Sequence, residues 1–234
     1  MKKRYFTLVE LLVVVGIVAI LAGLVLPAVI GGAQNGRITQ AKADMKSIQM
    51  ALAQMDQTYG RILKTTGTGN DMKSVFYTSD SDTVDVDATE KDDKAESGSK
   101  TYSVIVGAGN VAAYNSLIAE LTGTGKCGSN KFLKYHHNLR KIKFLDPNTN
   151  FDPAIDYNAA ANIPYLWRDP WGNPYTIMIN VDGKERLARP DDDEKFIMGK
   201  TAVYSYGPNG ENNQGKNASE GGDKLDDDIA TWHK

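Results

Sequence analysis

The chain has 234 residues and one cysteine, Cys127, so no intramolecular disulfide can staple it. Histidine is scarce as well, at 3 residues. His136 and His137 are adjacent, point in different directions on any regular element and stand at no metalloprotease spacing, so they read as paired surface histidines. Nucleotide chemistry is missing. Gly123-Thr124-Gly125-Lys126-Cys127 has Glu120 where a phosphate loop needs its first glycine and Cys127 where magnesium needs Ser or Thr, which leaves a turn. Met178 and Arg189 exclude an EF-hand around Asn180 to Gly183, because they occupy the first and last ligand positions. There is no surplus of positive charge: 27 Lys+Arg against 29 Asp+Glu give a net charge of -2 and exclude a broad nucleic-acid face. With 41% hydrophobic residues the composition is that of a folded chain, neither collagen-like nor wholly disordered. No enzyme activity is expected.

What is present is strongly asymmetric. Residues 1–64 hold eight Lys/Arg against three Asp/Glu, a surplus of five positive charges; residues 65–234 hold 19 against 26, a surplus of seven negative. From Leu11 to Ile30 the chain carries no charge, and as a helix these residues measure about 30 Å, the thickness of a bilayer core. Lys2, Lys3 and Arg4 precede the run, so a membrane span with its N-terminus in the cytoplasm is expected, with everything after Ile30 on the far side. A cleavable signal peptide ending near Gly31-Gly32-Ala33, which would leave a secreted protein, is the competing reading. The run is longer than a signal's apolar region, and Glu10 stands near its start. An acid there calls for a cationic partner. Ile38, Ala41, Met45, Ile48, Leu52, Met55 and Tyr59 then recur every three or four residues, which predicts an amphipathic continuation of the helix packed on a sheet. Pro27, Gly31, Gly32 and Gly36 weaken the hydrogen-bond ladder between the two halves and mark a helix break.

Phe6-Thr7-Leu8-Val9-Glu10-Leu11-Leu12 after a short basic leader resembles the processing and methylation motif of type IV pilins and type II secretion pseudopilins. With Phe6 as first mature residue, Glu10 is fifth and Pro27 twenty-second, as in that family. The resemblance implies that a prepilin peptidase cuts after residue 5, that Phe6 is methylated, and that subunits leave the membrane for a helical filament, with Glu10 pairing with a neighbour's new amine. Where the family's leader ends in Gly this chain has Tyr5, so an uncleaved, anchored binding protein is the alternative.

Residues 65–100 are rich in Thr, Ser, Asp, Gly and Lys and read as an exposed loop. A second helix is predicted from Asn110 to Leu121, ended by Gly123. Asp169-Pro170-Trp171-Gly172-Asn173-Pro174-Tyr175 reads as a rigid turn, with Trp171 plugging the core edge, into a strand over Thr176 to Asn180; Ala202 to Tyr206 would be the last strand. Together these pieces predict an α+β fold, a long N-terminal helix packed on a small antiparallel β-sheet of three or four strands.

The C-terminal half resembles the major, G-type pseudopilin of type II secretion: the DPWGNPY segment, then Ser205-Tyr206-Gly207-Pro208-Asn209-Gly210, then Asp226-Asp227-Asp228-Ile229 and Trp232. That resemblance implies a calcium loop, and the candidate Ca²⁺ ligands are the carbonyl of Tyr206, Asn209 (Asp in the family), Asp226 and Asp228, with Asp223 in reserve. Oxygen donors in a glycine-rich loop suit that ion; a solvated acidic tail is the alternative, and Trp232 anchors the tail in either case. The organisation expected is a leader at 1–5, an assembly and transmembrane helix at 6–30, an amphipathic half at 31–64 and an extracytoplasmic domain at 65–234. The function implied is a structural subunit of a type II secretion pseudopilus, single-pass in a bacterial inner membrane. Its expected partners are itself and other pilin-like subunits, prepilin peptidase, membrane lipid and the secretion platform, with no nucleic acid; a type IV pilus or DNA-uptake subunit is the alternative.

Overall fold

A computed structural model describes residues 7–68, 71–77, 83–93, 99–124, 137–147, 149–152, 165–190, 195–215 and 227–232, with the side chains at 24–31, 75–77, 83–85, 91–93 and 99 outside that description. The chain divides into two compact units, Met1–Thr39 and Gln40–Lys234. The first is helical from Leu8 onward, in the leading part of α1 (Leu8–Tyr59). Its described side chains between Leu8 and Gly23 all face outward, Leu8 being 78% exposed and Ile20 66%.

Among the described residues no helix is long and apolar enough to cross a membrane. This corrects the expected single-pass, inner-membrane protein; past Gly32 the helix turns polar at Gln34, Asn35 and Arg37.

The second unit starts with the rest of α1, followed by β1 (Thr65–Thr66), β2 (Lys73–Tyr77), β3 (Thr83–Asp87), β4 (Thr89–Asp93), β5 (Ser99–Val106), α2 (Val111–Thr122), β6 (Thr176–Asn180), β7 (Arg186–Ala188), β8 (Phe196–Met198), β9 (Thr201–Ser205) and β10 (Ile229–Ala230). The expected fold, a long helix on one small sheet, is corrected here. Strand outweighs helix within this unit, and its described strands form three sheets in the orders β1-β2-β3, β10-β9-β6-β5-β4 and β7-β8. The reading of 65–100 as a loop is corrected with it. β3 and β4 are one extended run parted by Ala88, whose N–H donates to the Met72 carbonyl at 2.8 Å, so a single run of chain edges two sheets.

Alternation explains the five-stranded sheet. In β5, β6 and β9 one set of side chains, Val104, Val106, Ile177, Ile179 and Val203, is fully buried, and the register sets Val104 against Ile179 and Ile177 against Val203. The opposite set, Met178, Ala202 and Tyr204, packs with Leu187 and Ile197 of the β7-β8 ribbon and with Trp232. Every residue of β6 is buried, as a strand covered on both faces must be. On α1, Ala41, Met45, Ile48, Leu52 and Met55 are at most 1% exposed, and burial of each large side chain stabilises by roughly 1.5–3 kcal/mol. α2 is delimited as its termini require. The Asn110 side chain accepts from Ala113 N at 3.1 Å, and Gly123 closes the helix at φ 64°, where a side chain is unfavourable.

Polar contacts fasten α1 to the sheets. Gln49 Nε2 donates to the Thr201 carbonyl at 3.1 Å, Lys200 pairs with Asp56 at 2.7 Å, and Tyr175 donates its hydroxyl to Asp44 at 2.9 Å. Burial raises the Asp44 carboxyl above the ordinary Asp value, with Tyr175 opposing it and nearby Asp169 adding to it. The folded state therefore binds this proton more tightly than the unfolded chain, so stability is greatest below the ordinary Asp value and falls as pH rises through the raised one. Asp44→Asn keeps an oxygen for Tyr175 and removes the charge. Its melting temperature should vary less with pH across that window, and it should gain up to about 1 kcal/mol above it, a small figure because Asp44 is half-buried. Thermal melts over a pH series check this; an unaltered pH slope rejects it.

Candidate functional site

At the helix start, Thr7 and Glu10 satisfy each other. Glu10 accepts from Thr7 N at 2.9 Å and from Thr7 Oγ1 at 2.7 Å, while Glu10 N donates to Thr7 Oγ1 at 3.3 Å. This is a capping box, with Thr7 as N-cap and Glu10 three residues on. The Thr7 hydrogen bonds hold the Glu10 carboxyl below its ordinary value, so it is ionised at the positive end of the helix. Thr-x-x-Glu is legible in the sequence, but a reading centred on a buried acid passes over it. Tyr5 and Phe6 lie outside the described residues, and of Pro27 only the helical backbone is described.

The second region is the turn that begins at Asp169, together with the C-terminal loop. Asp169 is fully buried. Its Oδ1 accepts from Trp171 N at 2.9 Å and Asn173 N at 2.8 Å, and its Oδ2 from Ser205 Oγ at 2.6 Å. Its carboxyl is raised by burial against the lowering effect of these donors. Pro170 and Pro174 restrict the backbone while Asp169 collects the amides between them and ties the turn to β9. Trp171, expected to plug the core, is half-exposed. Trp167 takes that place: it is 1% exposed, its ring centroid lies 5.3 Å from that of Tyr175, and its indole N–H donates to the Thr149 carbonyl at 2.9 Å.

Beyond Ser205 the chain makes a turn at Gly207 and folds onto the C-terminal strand. Asn209 N donates to Asp227 Oδ2 at 3.0 Å, and the Asn209 side-chain oxygen accepts from Glu211 N at 2.7 Å. Asp228, fully buried, takes Asn213 N at 3.1 Å and Gly215 N at 2.7 Å on its Oδ2. Tyr206, Asn209 and Asp228 are thus brought to one loop, while Asp223 and Asp226 lie outside the described residues. Asp228 Oδ2 and the Asn209 side-chain oxygen accept the loop's own amides, Asn209 is exposed, and among the described residues no group of three or more His, Cys, Asp or Glu side chains assembles. Asp227, which the sequence reading passed over, closes the loop alongside Asp228.

No family model, no curated protein and no solved structure matches this chain.

His137 is a correction. Instead of lying at the surface it is 3% exposed, and its Nδ1 accepts from Lys64 N at 2.9 Å. His136 lies outside the described residues. Glu120, also buried, takes the amides of His137 and Asn138 at 2.8 and 2.9 Å. Asn138 in turn receives the Tyr59 hydroxyl at 2.7 Å, so the end of α1, the end of α2 and the 137–142 segment form one hydrogen-bonded clasp. These contacts span 17 to 79 residues, which no local pattern encodes.

Proposed function

We propose that the chain is a structural subunit that assembles through its N-terminal helix into a helical filament of the kind that serves type II protein secretion. One observation carries the reading. Between Leu8 and Leu21 the large apolar side chains of α1 are 51 to 78% exposed, on every side of the helix. Soluble proteins rarely leave so much contiguous apolar surface bare, and helices of further copies are cover of matching shape and length. The motif Phe6 to Leu12, which resembles the pilin-type assembly signal, supports the same reading. So does Glu10, held ionised at the helix start, where a cationic group of a neighbouring copy could exchange with Thr7.

Electron microscopy and sedimentation of the full chain test it. Wild-type protein should form filaments, and Ile17→Asp, which sets an unpaired charge in the helix contact, should reduce polymer by more than roughly tenfold while the 40–234 unit melts unchanged. Glu10→Ala should lower incorporation less severely. A monomer at every concentration would overturn the reading.

A further inference from the structure

Two Asn-Gly pairs occur in the chain, Asn35-Gly36 and Asn209-Gly210. Asparagine before glycine is especially open to attack on its own side chain, because glycine has no Cβ to shield the backbone nitrogen that attacks. Both asparagines are exposed, so exposure does not separate them. Their backbones do. Asn35 and Gly36 lie inside α1, where the helical ladder engages backbone N–H groups and helical dihedrals turn the following nitrogen away from the asparagine side chain. Asn209 lies in the turn from Gly207 to Gly210, and three contacts prepare it for that attack. The Gly210 N–H reaches the Gly207 carbonyl at 3.3 Å, beyond the ordinary range, so the nitrogen is loosely held. The Asn209 side-chain oxygen accepts from Glu211 N at 2.7 Å, a donor placed where negative charge collects when the adjacent carbon is attacked. The Asn209 Nδ2 group, which has to leave, is 3.4 Å from Asn213 Oδ1, a weak hold.

We propose that Asn209 is a self-modification site, at which the chain converts its own amide to a carboxylate through a cyclic imide. The Gly210 nitrogen bonds to Asn209 Cγ and gives up its proton, the Cγ–Nδ2 bond breaks, and Nδ2 departs with that proton as ammonia. Water then opens the imide at either carbonyl. One opening leaves an aspartate at position 209; the other leaves an isoaspartate, in which the main chain runs through the former side chain and is one carbon longer. One water enters, one ammonia leaves, and nothing is oxidised or reduced. Either product alters the loop. The new carboxylate stands beside Asp227, whose Oδ2 accepts the Asn209 N–H at 3.0 Å, and two residues from Glu211, so like charges crowd the turn. The isoaspartate also lengthens the backbone of a turn so close to the Asp227 carbonyl that Gly207 has no room for a Cβ. The loop and the C-terminal segment therefore loosen as the molecule ages. The site lies within the 40–234 unit, and its conversion proceeds whether or not the chain polymerises.

Peptide mapping by mass spectrometry tests it on the full chain, incubated at neutral and at mildly alkaline pH, both folded and in urea. In urea the two Asn-Gly pairs should convert at similar rates. In the folded protein Asn209 should keep a rate within roughly tenfold of that value, while Asn35 falls more than roughly tenfold below it. The Asn209 rate should rise with pH, since the attacking nitrogen must lose its proton. Asn209→Gln, whose longer side chain has to close a larger ring, should stay unconverted at that position and leave Asn35 as before. The melting temperature of wild type should fall as the converted fraction grows, and that of Asn209→Gln should hold steady under the same incubation. If the folded protein protects Asn209 as strongly as Asn35, the site is overturned. Conversion at Asn209 with no change in melting temperature overturns its coupling to the loop.

Discussion

Asp169→Ala should lower the free energy of unfolding by about 3–5 kcal/mol, the loss expected when a buried charged acceptor is removed and its donors are stranded. Three donors depend on this carboxylate: the Trp171 and Asn173 amides and the Ser205 hydroxyl, at 2.6 to 2.9 Å. The Ser205 contact is closed to water, since Asp169 and Ser205 are both fully buried, while the two amide contacts are partly buried. Burial also raises the carboxyl, so part of its hydrogen-bonding gain is already offset by desolvation, which is why the lower half of the range is expected near neutral pH. Asp169→Asn, which keeps one acceptor oxygen, should fall between the two. Urea unfolding of the full chain measures this. A loss under about 1 kcal/mol would mean that Pro170 and Pro174 hold the turn without the carboxylate.

Gly207→Ala should be nearly as damaging, at about 3 kcal/mol, for a different reason. Gly207 sits at φ 69°, where any side chain strains the backbone. A Cβ there would also collide with the Asp227 carbonyl, which is backbone and cannot swing aside. The substitution should loosen the attachment of the 227–232 segment to β9, so the fluorescence of Trp232 and the melting temperature should shift together. A melting temperature within a degree or so of wild type would show that the segment can move away without loss.

The parts of this fold that could be read in advance are those whose cause is local. α2 is framed by Asn110 and Gly123, and the strand at Thr176–Asn180 follows a turn that carries its own carboxylate acceptor and two prolines. Of the strands at 65–100, Thr89–Asp93 was illegible because it is almost wholly polar and is a strand only because β5 pairs with it, whereas the alternation of Val84 and Val86 with Asp85 and Asp87 was there to be read. Trp167 and His137 are buried by partners far along the chain, and an adjacent pair of histidines says nothing about which one meets Lys64. The apolar run from Leu11 was plain in the sequence. Its environment was not, because composition does not say what covers an apolar helix. For the C-terminal loop the residue types were legible and their work was not. Asp228 reads as a calcium ligand or as part of a solvated tail, and in the fold its Oδ2 accepts the amides of Asn213 and Gly215.

The uninterrupted run from Thr83 to Asp93, crossing at Ala88 from the three-stranded sheet to the five-stranded one, makes a load path. Tension applied at either sheet reaches the other through covalent bonds instead of through side-chain contacts, which would shear first. Neither sheet can peel off while its hydrogen-bonded neighbours on the far side still grip the same strand.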